Sequence, residues 1–95
     1  METKILKVVQ CGEVVAVPSQ KAESGQVMKR TIVLQELGGK YEDRYSATLI
    51  GAMAENGFTE GDLVAARLRF QTHEFNGNMY QDVSVLEMSK LNINN

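Results

Sequence analysis

The chain contains no tryptophan and only one cysteine, one proline and one histidine among its 95 residues, and each shortage closes off a class of chemistry. A lone cysteine, Cys11, forms no intrachain disulfide and no cysteine-based metal site, so the chain is expected in a reducing compartment, the cytoplasm. Cys11 itself reads as a small buried or half-buried strand residue. His73 has no second histidine, cysteine cluster or carboxylate at ligand spacing, so a surface position and no bound metal are expected. No apolar run approaches about 18 residues and the first residues lack an apolar core, so neither a membrane span nor a signal peptide is expected. A global positive field is also missing, since the net charge is −2 and the pI is near 5.3. Any site for a polyanion must therefore be a local patch.

Catalytic signatures are equally scarce. Ser19, Ser24 and Ser46 have no partnered base at a recognisable spacing. No glycine-rich phosphate loop runs into a Lys-Ser or Lys-Thr pair. Glu42 with Asp43, Glu60 with Asp62 and Glu74 with Asp82 read as solvated carboxylates on strands and turns. Neither enzymatic activity nor a cofactor is expected.

A hydrophobic share of 43% and a charged share of 23% suit one globular domain over residues 1–95, with a core at about 4–88 and a polar tail at 89–95. Residues 4–17, KILKVVQCGEVVAV, read as one long strand in which the isolated Gly12 marks a bulge or sharp coil, and Pro18 ends it. A polar loop is expected over 18–28, a second strand over 29–37, a Gly38-Gly39 turn and a third strand over 41–50. Ala52, Met53, Ala54 and Glu55 favour a helix of about two turns that Asn56-Gly57 stops. The strongest local signal lies in residues 62–88. Two strands, at about 63–75 and 79–88, fold back around Asn76-Gly77, residues that tolerate the positive φ of a tight hairpin turn. The prediction is an all-β fold of five strands with a short helix between strands 3 and 4. That is the connectivity of the OB-fold, a partly open Greek-key barrel.

The segment LIGAMAENGFTEGDLVAARLRFQTHEFNGNMYQDVSVLEM resembles the second half of a bacterial single-stranded DNA-binding protein. Gly61-Asp62-Leu63-Val64 is similar to that family's entry into strand 4, and Phe75-Asn76-Gly77 through Tyr80 to its aromatic-flanked hairpin. Lys29-Arg30-Thr31-Ile32-Val33-Leu34 resembles the entry to strand 2 in short OB-like proteins from Bacteroidetes. The resemblance spans roughly residues 4–88. It implies an OB-fold that binds single-stranded nucleic acid, DNA ahead of RNA, without catalysis.

Such binding needs aromatic platforms for bases and cations for phosphates on one groove wall. If Ile32 and Leu34 point inward, Thr31, Val33 and Gln35 lie outward with Lys29 at the strand's outer start. If Ala47 and Leu49 point inward, Arg44, Ser46 and Thr48 lie outward, and only a bulge would bring Tyr45 to that face. On strand 4, Val64, Ala66, Leu68 and Phe70 share one face, and Arg67, Arg69, Gln71, His73 and Phe75 the other. The candidate phosphate contacts are Lys29, Arg30, Lys40, Arg44, Arg67 and Arg69. The candidate base platforms are Tyr45, Phe75 and Tyr80, with Phe75 and Tyr80 also able to meet as a cross-strand pair. The alternative is an OB-like protein-interaction module without a nucleic-acid ligand. Self-association is expected in either case, because small barrels leave sheet edges that can pair with a second copy.

Overall fold

Alternation of buried and exposed positions organises the computed structural model, which describes residues 3–21, 23–38 and 43–91. Its elements in chain order are β1 (Thr3–Cys11), β2 (Val15–Pro18), β3 (Gln26–Glu36), β4 (Arg44–Ile50), α1 (Ala52–Glu55), β5 (Leu63–Phe75) and β6 (Asn78–Lys90). Among the described residues the fold is all-β with one short helix. Among the described residues, no helix is long and apolar enough to cross a membrane.

The strands form one mixed sheet in the order β1-β5-β6-β4-β3-β2, and a further β1–β3 pairing closes it into a ring. Every contact in the ring is antiparallel except β4 with β6, joined at Thr48 and Ser84. β1 serves two neighbours, β5 through Thr3–Lys7 and β3 through Leu6–Cys11. A register shift between Val8 and Gln10 lets it do so, because the extra residue turns the strand from one neighbour toward the other.

Six strands are present where the sequence predicts five, because the expected first strand breaks at 12–14 into β1 and β2. Its bulge falls at Val9, upstream of Gly12. Gly12 instead sits against β3, its N–H donating to the Thr31 carbonyl at 2.8 Å. A Cβ there would stand 3.1 Å from that same oxygen, so a larger residue would have to push the two backbones apart by a few tenths of an ångström. The helix is also shorter than expected, at one turn, since Asn56 adopts an extended ψ of 151°. Ser89 and Lys90, read as part of a frayed tail, pair with Ala65 and Val64 instead. Residues 92–95 lie outside the described residues.

The interior of the ring holds Leu6, Val8, Ile32, Leu34, Ala47, Leu49, Val64, Ala66, Leu68, Val85 and Met88. On β1 and β3–β5 these are alternate positions, the period that pleated strands impose when one face is dry, while on β6 the register shift opposite Arg67 and Leu68 separates Val85 from Met88 by three residues. The helical segment adds Ala54 and Phe58 to the same core. Arg30 fastens this region, donating from Nε to the Gly12 carbonyl at 2.8 Å and from Nη1 to the Asn56 carbonyl at 3.3 Å.

A second tie joins β1, β3 and β4. The Tyr45 hydroxyl donates to Glu36 Oε1 at 2.6 Å, Lys4 Nζ reaches the same oxygen at 3.2 Å, and the Tyr45 ring meets Phe70 edge-on at 5.7 Å. The bond to Glu36 pushes the Tyr45 hydroxyl from an ordinary 10.0 up to about 12, and the Tyr45 bond first, then Lys4, lowers the Glu36 carboxyl. A raised acid binds its proton more tightly when folded, so this contribution to stability is complete below pH about 10 and lost as pH rises toward about 12. Glu36 adds the opposite limb, a contribution lost as pH falls through its lowered value. Tyr45→Phe is therefore expected to flatten the alkaline decline of melting temperature between pH 10 and 12. Parallel wild-type and variant curves would refute the tie.

Candidate functional site

Beyond the ring the last two strands continue alone. Among the described residues, β1 accompanies β5 as far as Arg67 and β4 pairs with β6 at Ser84, so residues 71–82, past the contact of Phe70 with Tyr45, form a two-stranded arm without a third strand beside it. All of residues 69–82 are exposed. The arm stretches the molecule to 44 Å along its longest axis and raises the radius of gyration to 14.5 Å. A compact chain of this length would show about 12 Å. The arm's turn is the one the sequence announces. Asn76 and Gly77 both have positive φ, 52° and 80°, the geometry whose twist matches that of the flanking strands.

A two-residue turn sets the register, and the register decides which rings meet. Phe75 lies opposite Asn78, Glu74 opposite Met79, and His73 opposite Tyr80. The expected direct Phe75–Tyr80 pair therefore does not form. Tyr80 stacks instead on His73, with centroids 5.5 Å apart and planes 25° from parallel, while Phe75 is its diagonal neighbour on the same face. His73 Nδ1 is fixed 3.0 Å from Asp82 Oδ2. His73 thus joins the exposed aromatic face, a role that counting outward from the Asn76-Gly77 turn would have revealed.

This face continues onto the outside of the ring. Arg69 pairs with Ser84, Ser84 with Thr48, and Thr48 with Thr31, a polar row across β5, β6, β4 and β3. Lys29 and Arg44 share the outward parity of Thr31 and Thr48 and are exposed. Beyond Thr31 the surface dips into an open groove of about 430 Å³ lined by Gly12, Glu13, Val15, Val17, Lys29, Arg30 and Thr31. None of Glu13, Val15, Val17 or Thr31 was singled out as a candidate from sequence.

The structure sorts the sequence candidates unequally. Arg69 takes part in none of the ion pairs among the described residues, and neither does Lys29. Arg44 rests lightly, its Nε donating to Gln35 Oε1 at 2.8 Å. Arg67 is bound to Glu87 Oε1 at 2.9 Å across the strand pair, and Arg30 is committed to two carbonyls. Tyr45 shares the inward parity of Ala47 and Leu49, β4 has no bulge to turn it outward, and its ring packs against the core. Lys40 lies outside the described residues. Phe75 and Tyr80 present their rings to solvent at 62% and 47% exposure.

Burial pushes the Cys11 thiol up, and its Sγ donates to the Phe58 carbonyl at 3.4 Å, so the nucleophilic thiolate is disfavoured. The backbone N–H of Thr59, then Lys90, lowers the Asp62 carboxyl, which holds the entry to β5 as a fixed acceptor. Among the described residues, no group of three His, Cys, Asp or Glu side chains could hold a metal ion. Compared with protein-family models, curated proteins and solved structures, the chain matches none.

Proposed function

We propose that the chain is an OB-fold protein that binds single-stranded nucleic acid, DNA ahead of RNA, without catalysis. The strand connectivity supports the fold assignment: a ring of β1, β3, β4, β6 and β5, one parallel contact between β4 and β6, and a helix before β5. One observation carries the function. The β5–β6 register gathers Arg69, His73, Phe75 and Tyr80 onto one exposed face that continues the hydroxyl-bearing outer surface of β3 and β4. Exposed rings beside cations and hydroxyls are what a sequence-tolerant single-strand site needs, because each base offers a π-face and each phosphate a negative charge. Lys29, Arg44 and Arg69 supply the charge, and Tyr80, Phe75 and His73 the stacking surface.

Three available cations set the expected salt dependence. Each neutralised phosphate contributes a slope of roughly −0.7 in log affinity against log salt, so three contacts give a slope of about −2. Arg69→Gln should reduce that slope by about 0.7. Fluorescence anisotropy with labelled strands of about 30 nucleotides, starting near 50 mM salt, measures both quantities. No binding at micromolar protein under those conditions would reject the proposal.

A protein-interaction module is the competing reading, favoured by the intramolecular engagement of Arg30 and Arg67. It gains weight if every oligonucleotide fails to bind.

A further inference from the structure

The groove beside β2 differs in chemistry from the aromatic arm. Val15 pairs directly with Lys29, and Val17 with Val27, so Val15, Val17 and Lys29 rise into the groove from one face of the sheet. Val15 and Val17 give it an apolar side. Glu13 and Lys29 bring opposite charges to it, yet neither takes part in an ion pair among the described residues. The rim is held in place by the Gly12–Thr31 backbone bond and by Arg30 on the Gly12 carbonyl. A volume of about 430 Å³ accommodates a planar heterocycle with its sugar, within the usual range of small-molecule sites.

A carboxylate is out of place on a surface that binds phosphates unless it contacts something other than the phosphates. Bases of a single strand expose their Watson–Crick edges, and a carboxylate only accepts hydrogen bonds. Its two oxygens fit two adjacent donors. Guanine alone presents such a pair, N1–H beside the N2 amino group. Cytosine and adenine place a ring acceptor next to their amino group, and thymine flanks its single N–H with two carbonyl oxygens, so each would set a lone pair against the second carboxylate oxygen. We infer that this groove is a guanine-selective base site, in which Glu13 accepts from N1–H and N2–H, Val15 and Val17 support the ring, and Lys29 contacts the adjoining phosphate. The inference rests on the single-strand reading above and adds a preference to it.

The test uses the full chain and three labelled oligonucleotides of about 16 nucleotides. One is all thymine, one carries three isolated guanines, and one carries inosine at those three positions, which keeps N1–H and lacks the N2 amino group. The guanine strand should bind about tenfold tighter than the thymine strand, the magnitude of a good bidentate base contact, with inosine in between. Glu13→Gln should abolish the difference while raising affinity for the thymine strand, since a negative charge leaves the path. Lys29→Gln should weaken all three strands to a similar degree. Equal binding of guanine and thymine strands by the wild type overturns the inference and leaves single-strand binding standing. A guanine preference that survives Glu13→Gln overturns the assignment to this groove. Absence of binding to all three strands overturns both the inference and the reading beneath it.

Discussion

Replacing Phe75 and Tyr80 together with Ala is expected to weaken single-strand binding by about 1–3 kcal/mol for each stack lost, while the melting temperature barely moves. The separation follows from where the rings are. Both sit on the free arm, with Phe75 at 62% and Tyr80 at 47% exposure, so their removal opens no cavity in the core. The stacking of Tyr80 on His73 contributes to the arm at the level of a cross-strand pair, roughly 0.2–1 kcal/mol. A two-stranded hairpin without a covering layer is marginal by itself, so the arm's local order and the ring's global stability are different quantities. Anisotropy and thermal melting on the one double variant measure the two effects. Lowered stability with unchanged affinity would remove both rings from the interface and favour the protein-interaction reading. Tyr80→Phe is the companion variant, since it keeps the stacking face and should retain most of the affinity.

The arm also shows how far the sequence carries the fold. Asn76-Gly77 between two β-rich runs is legible as a tight turn, and both residues have the positive φ expected of them. The inward rows Ile32 with Leu34, Ala47 with Leu49 and Val64 with Ala66 and Leu68 are legible for the same reason, because strict alternation survives wherever one face of a strand is dry. Side-chain availability was harder to read. Arg30 continues the inward row of Ile32 and Leu34, but its partners are carbonyls 18 and 26 positions away, which only the closed ring brings near. Arg67 meets Glu87 beside a register shift in the β5–β6 pairing that no residue in that stretch announces. Tyr45 shares the parity of Ala47 and Leu49, so alternation alone already placed it inward, and the outward option needed a bulge that β4 does not have. The groove was invisible for a related reason. It arises where the chain leaves β1 at Gly12 and re-enters the sheet at Val15, a break that a continuous apolar run conceals.

Leu34→Ala should have the largest effect on stability, a loss of about 2–5 kcal/mol. Leu34 is fully buried, pairs with Val8 of β1 and Tyr45 of β4, and so stands where the strands that close the ring meet. Truncation removes its contacts with the surrounding core, and a ring fixed by pairing on both sides has little freedom to collapse into the space. A domain of this size has a total stability of roughly 5–10 kcal/mol, so the variant would lose a large fraction of it, with a correspondingly lower denaturant midpoint and an unchanged m-value. Met79→Ala provides the contrast. Met79 lies on the arm at 65% exposure, and surface replacements of this kind usually stay within about 0.5 kcal/mol. Urea unfolding of the two variants beside wild type therefore tests whether the ring is the cooperative unit and the arm an appendage. Equal destabilisation by Leu34→Ala and Met79→Ala would mean that the Met79 face of the arm, opposite the aromatic face, is buried against a further surface in solution, and the arm would then not be an appendage.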